Sequence, residues 1–294
     1  MMQRRNVIKL GAAALGAFAL TRYTPSRREW RGRGFGADLS VVFHDSGADH
    51  ERSFAAIEAE VERLEQVFSL FRPSSAISRL NRDGELRNPP KDLVTLLEKS
   101  KCVWAATDGV FDPTVQSVWQ AKHTHPISPA GFDTVDVRHD LIRFKQPGTA
   151  LTLNGIAQGY ASDQLSRLLQ HRGHAAHLVN LGEFAAGDGD WRLGIENGDA
   201  QRLTHTDLSN LGLATSAPGA MRRANGKAHI VHPFGKAPVW KTVTVQAQTS
   251  ALADAYSTAL SLIQRAKIEA MDLNAMGITK VWLESQNGAV IRLG

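Results

Sequence analysis

The chain has 294 residues, 43% of them hydrophobic and 21% charged, which excludes a disordered polypeptide and allows a substantial core in one or two domains. Its formal charge is +5, yet Arg4, Arg5, Arg22, Arg27, Arg28, Arg31 and Arg33 all precede the expected core. The basic excess therefore belongs to the leader region, and no nucleic-acid partner is expected.

Residues 1–20 read as a twin-arginine-type signal segment, with Gln3-Arg4-Arg5-Asn6 ahead of the Gly/Ala-rich run Leu10–Leu20. That run is short for a membrane span, and Ala17 and Ala19 offer a small-residue cleavage site. Export to the periplasm or beyond is the expectation. The alternative is an uncleaved N-terminal anchor, which would be the chain's only tie to a membrane. Residues 21–37, rich in Arg and Gly, read as a linker, and 38–294 as one folded unit. The lone cysteine, Cys102, excludes an intrachain disulfide and is expected to be a buried thiol.

Asp38 to Phe43 alternates like a strand. Asp49 can cap a helix reaching about Phe68, with Phe54, Ile57, Val61, Leu64 and Phe68 as its apolar stripe. A second amphipathic helix, Leu93 to Ala106, stops at the turn signal Asp108-Gly109. A loop from His123 to Gly131 precedes paired short strands at Val135–Val137 and Leu141–Phe144, and a helix runs from Gly155 to His171. Strands are predicted at His177–Asn180, Trp191–Glu196, Gly212–Ser216, His229–His232 and Val239–Ala247. Helices at Ser250–Gln264 and Ile268–Met276, then strands at Thr279–Glu284 and Ala289–Arg292, complete the chain. Without strict β-α alternation, this order favours α+β over a doubly wound sheet.

Two stretches carry chemistry. In Leu151-Thr-Leu-Asn-Gly-Ile-Ala-Gln-Gly-Tyr-Ala-Ser-Asp163, an apolar strand-like alternation runs through glycines into a helix. Gly155 and Gly159 allow close backbone approach, and free N–H groups at a helix N-terminus suit a phosphate or pyrophosphate. A plain β-turn-α connection, its glycines used for packing, fits equally well. In Ala253-Asp-Ala-Tyr-Ser-Thr-Ala-Leu260, Asp254 and Thr258 fall at i and i+4, on one helix face. These are hard oxygen donors suited to Mg²⁺, although Asp254 also reads as a first-turn acid favoured by the helix dipole.

With further blocks in order, these stretches resemble the ApbE family, the FAD:protein FMN transferases. The supporting blocks are Ser69-x-Phe71 with Ser75, Ile77, Leu80 and Asn81; Thr107-Asp-Gly-Val-Phe-Asp-Pro-Thr114; Val179-Asn-Leu-Gly-Glu183; Ala214-Thr-Ser216; and His229-Ile230. The resemblance covers roughly residues 30 to 285. It implies a single compact α+β, ApbE-like (T-fold-like) unit of mixed sheets with flanking helices. It implies metal-dependent transfer of FMN from FAD to a Thr or Ser hydroxyl of a target flavoprotein, releasing AMP. The acceptor would be a membrane redox subunit or a soluble flavoprotein.

Carried over residue by residue, the resemblance makes Asp254, Thr258 and the carbonyl of Ala157 the Mg²⁺ ligands. Gly155, Ile156, Gly159 and Tyr160 would line the pyrophosphate, and Asp163 would hold the adenosine end. His229 and Asp254 would be catalytic. Phe71, Asn81, Asn154, Glu183 and Ser216, with His229, complete the FAD contacts. A histidine satisfied within a strand is the competing reading for His229, and a turn-forming acid the favoured one for Asp112. The chain departs from the family pattern at Phe35, Asn154, Gln158, Leu181, Ala217 and His232. Those departures keep two alternatives open: hydrolysis of FAD to FMN and AMP, and a protein that only binds FAD.

Overall fold

A computed structural model describes residues 27–44, 49–120, 129–197, 201–222, 226 and 228–294. The signal segment 1–20, the first part of the expected linker and most of the His123–Gly131 loop lie outside the described residues.

An eight-stranded sheet, antiparallel at every pairing, organises the molecule. Its spatial order is β1 (Arg27–Gly34), β2 (Ala37–His44), β6 (His177–Asn180), β7 (Phe184–Ala186), β10 (Gly212–Ser216), β11 (Thr242–Ala247), β12 (Ile278–Glu284) and β13 (Val290–Leu293). Strand alternation sends Leu39, Val41 and Phe43 of β2 to one face and Val42 to the other. The first face packs on α1 (His50–Phe68), α3 (Lys91–Ala106), α5 (Ala157–His171) and α6 (Ser250–Leu260) and makes the main core. On the second face the hairpin β8 (Trp191–Glu196) and β9 (Arg202–Leu208) closes a smaller core around Trp191 and Leu193. A three-stranded sheet of β3 (Glu85–Arg87), β4 (Val135–Val137) and β5 (Leu141–Phe144) stands apart. The short helices α2 (Ala76–Asp83), α4 (Gln116–Gln120) and α7 (Arg265–Glu269) fill connections. Among the described residues no helix is long and apolar enough to cross a membrane.

The architecture is the predicted α+β one, with local differences. Arg27–Gly34 lies inside the expected linker, yet it pairs along its whole length with Ala37–His44. Phe35 (φ 51°) and Gly36 (φ 76°) make the tight turn between them. Burial of Trp30 against the main core holds this arginine-rich strand in place despite its polar composition. Asp49 caps α1 as expected, accepting the N–H of Arg52 at 3.1 Å. Cys102 is exposed on α3 rather than buried. His229–His232 forms no strand, β11 begins only at Thr242, and the expected helix 268–276 is reduced to α7 and turns.

Candidate functional site

The stretch leading to Gly155 is irregular rather than a strand, and two side-on contacts hold it. Asn81 donates from Nδ2 to the Leu151 carbonyl at 2.8 Å and accepts the Leu151 N–H on Oδ1 at 2.7 Å. The Pro113 carbonyl accepts the N–H of Thr152 at 2.9 Å. Asn81, expected on the flavin, thus has its amide committed to shaping this turn.

The glycines here are required by crowding, since neither has a positive φ. A Cβ on Gly155 would stand 2.9 Å from Thr258 Oγ1. One on Gly159 would stand 2.3 Å from the Ser250 carbonyl oxygen and 2.8 Å from Asp254 Cβ. Helices α5 and α6 therefore pack backbone to backbone at the point where the expected metal pair lies. Most of the N–H groups that open α5 are taken: those of Ile156, at its N-cap, and Ala157 go to the Leu153 carbonyl, and that of Gly159 goes to Asp254 Oδ2 at 3.1 Å.

Asp254 is buried in the second turn of α6, past the first-turn position that the helix-dipole reading of the sequence gave it, with Thr258 one turn on. Thr258 Oγ1 lies 3.3 Å from Ser216 Oγ, which pairs with Ser257 Oγ at 2.8 Å. Glu183, half-buried after β6, accepts the Thr215 N–H at 3.1 Å, and its carbonyl takes the Ser162 hydroxyl at 2.7 Å. Beside it, Gly182 (φ 103°) leaves the room that the Gln158 amide occupies.

Burial pushes the Asp254 carboxyl above its usual range, the Gly159 N–H holds it down, and the charge of Asp163 adds to the rise. Glu183 is raised by lost hydration and then by the charge of Asp254. Among the described residues no Arg or Lys forms an ion pair with either acid. Nor do three His, Cys, Asp or Glu side chains there surround a common point. Uncompensated carboxylates beside the Thr258 and Ser216 hydroxyls fit a hard divalent cation, which would supply the missing positive charge. Ala157 opens α5 next to this group.

Other expected site residues sit elsewhere. Tyr160 is buried in the core, edge-on to Phe68, and donates its hydroxyl to Asp92 on α3 at 2.7 Å, so its side chain does not line the turn. Asp163 accepts the N–H groups of Ser250 and Ala251 at 2.8 and 3.0 Å, which caps α6 together with Thr249. It still borders a groove of about 430 Å³ lined also by Lys99, Arg167 and Gln248. Ile156 is fully buried, Asn154 is exposed, and Phe71 is 82% exposed on the turn before α2. Asp112 makes the expected turn, accepting both the N–H and the hydroxyl of Thr114.

His229 lies in an irregular segment, and its contacts run to Pro218, Met221 and Trp119 rather than to the Asp254 group. Nδ1 is 3.1 Å from the Pro218 carbonyl oxygen. A carbonyl oxygen only accepts, so Nδ1 carries the proton and Nε2 keeps its lone pair. Burial lowers the pKa below its ordinary 6.5, leaving the ring neutral at pH 7. His232, buried nearby, accepts the Phe234 N–H on Nδ1 at 3.1 Å. Sequence reasoning missed Trp119, Ser257 and Thr215, whose partners lie far along the chain and leave no local spacing to read.

A model of the ApbE family matches residues 35–279. The FAD:protein FMN transferase of Salmonella typhimurium is 24% identical over an alignment covering 85% of this chain and 82% of that protein. The one from Haemophilus influenzae is 25% identical, covering 89% and 88%. Among solved structures, the flavin transferase ApbE from Vibrio cholerae superposes with a TM-score of 0.77 at 18% identity, over 92% of this chain and 97% of that one. The apo flavinyl transferase ApbE of Pseudomonas stutzeri gives 0.76 at 21% identity, over 93% and 97%. These structures share the fold of this chain.

Proposed function

The chain belongs to the ApbE family, and we propose that it transfers FMN from FAD to a Thr or Ser hydroxyl of a target flavoprotein, releasing AMP. The observation that carries this reading is the pair of acids, Asp254 and Glu183, without a cation beside the Thr258 and Ser216 hydroxyls. Asp254 and Thr258, with the carbonyl of Ala157, would hold Mg²⁺, which supplies charge neutralisation at a transferring phosphoryl group. The acceptor oxygen bonds to the FMN phosphorus while the phosphorus–oxygen bond to AMP breaks. His229 Nε2 takes the hydroxyl proton, a task that its neutral ring and fixed tautomer suit. Gly155 and Gly159 hold the turn against α6 at the packing distance described above. The twin-arginine-type segment read in residues 1–20 supports a reaction outside the cytoplasm, and the acceptor would be a membrane redox subunit or a soluble flavoprotein.

A second reading is hydrolysis of FAD to FMN and AMP, with water in place of the acceptor hydroxyl; Gln158, which puts an amide rather than a cation beside Gly182, instead favours a protein that only binds FAD. Mass spectrometry of an acceptor domain incubated with protein, FAD and Mg²⁺ separates the two. Transfer gives a mass gain equal to an FMN phosphoester, with AMP released, and both are lost in Asp254→Ala and on chelation of the metal. Free FMN and AMP with an unmodified acceptor would establish hydrolysis instead. Intact FAD that stays bound would leave a flavin-binding protein.

A further inference from the structure

The Thr107–Thr114 block is the motif to which the proposed reaction gives no task. The structure ties it to both halves of the site. Its Pro113 carbonyl holds Thr152 ahead of the glycine turn. Its Asp112 fixes the 3-10 turn Pro113–Val115, which leads straight into α4. From α4, Trp119 donates its indole N–H to the His229 carbonyl at 2.8 Å. At the other end of the same segment, Phe234 reaches Gly109, where a Cβ would stand 3.5 Å from the Phe234 ring. Residues 229–235 belong to no strand or helix, so no ladder of backbone bonds holds His229 in place. Trp119 is itself 41% exposed, so burial contributes less to keeping it there than for a core tryptophan.

We propose that Trp119 is a positioning residue for His229, its indole N–H gripping the His229 backbone so that the imidazole is held at a fixed place for the proton transfer. Thr107–Thr114 is then the brace that sets the His229 segment relative to the glycine turn. The inference rests on the reading of His229 as the proton acceptor in FMN transfer.

Trp119→Phe keeps an aromatic ring and removes the donor. The variant is expected to lose about 10- to 100-fold in kcat, the scale of an ångström-level misplacement. KM for FAD should stay within about twofold, because ground-state binding is untouched. The imidazole ¹⁵N signals of His229 should shift, while the wild-type ring shows Nδ1 protonated and Nε2 bare. If Trp119→Phe does not fold, 3-benzothienylalanine at position 119 exchanges the N–H for sulfur at nearly constant shape, with the same expectations. Unchanged kcat, a loss carried by KM alone, or unmoved ¹⁵N signals overturns the proposal. Should the wild-type protein leave FAD and acceptor untouched, the transfer reading fails by itself. The ¹⁵N comparison then decides whether Trp119 holds His229: a shift supports that hold and no shift overturns it.

Discussion

Around Asp254, the functional atoms sit on or beside helices packed at backbone contact. Gly159 lets α5 meet α6, its N–H goes to Asp254, and the N–H groups that open α6 go to Thr249 and Asp163. Around His229, an irregular segment is held by hydrogen bonds to Pro218 and Trp119, by Phe234 against Gly109, and by packing of Ile230 on the main core. The first region keeps acids where water is scarce and can do so only if its geometry is closely enforced. The second places one neutral ring, a task for which a few hydrogen bonds and side-chain contacts suffice. Rigidity here follows the cost of the charge being held.

The largest test of that contrast is Gly159→Ala. The new methyl meets the Ser250 carbonyl and cannot be accommodated by turning a side chain. A loss of about 3 kcal/mol is expected, at the upper end for overpacking, read from the urea midpoint. A midpoint like the wild type's would show that α5 and α6 part easily, and the contrast would collapse.

Asn81→Ala leaves both backbone groups of Leu151 without their partner. About 2 kcal/mol should be lost, with faster amide exchange confined to the glycine turn. Exchange that spreads across the whole sheet would instead make Asn81 a general stabiliser.

Tyr160→Phe removes the bond to Asp92, for about 1 kcal/mol. FAD affinity should be unchanged, and a tenfold loss would return the ring to the ligand site.

The smallest effect expected is with pH. His177 is buried between the Ser166 hydroxyl and the His174 carbonyl, and desolvation holds its pKa below the ordinary 6.5. Above 6.5 the ring is neutral in both folded and unfolded chains and contributes no slope. As pH falls through 6.5 the unfolded chain binds a proton that the folded one refuses, so stability declines until the lowered folded pKa is reached. The stability gap between wild type and His177→Gln should therefore shift toward the variant between about pH 7 and 5. A pH-independent gap would mean that the ring is not held neutral.

Much of this was legible beforehand. Asp49 and the α1 stripe, the pairing of β4 with β5, and the Asp254–Thr258 spacing are all set by near neighbours in sequence, where capping and helical period leave a direct imprint. The strand Arg27–Gly34 was hidden because its composition is that of a linker, and only pairing with β2 and burial of Trp30 make it a strand. Tyr160 and Asp163 stand next to the glycine turn in sequence, but helix geometry aims one at α3 and the other at the start of α6.

The sequence by itself determined the α+β class, the glycine turn, the spacing of acid and hydroxyl on α6, and the family resemblance. Those features are local patterns or ordered blocks. The tertiary structure decided why the glycines are needed, that Glu183 stands by Asp254, that the Asn81 amide bonds the Leu151 backbone, and that Trp119 reaches His229. Each of these joins residues distant in the chain, and such contacts exist only once packing has brought the elements together.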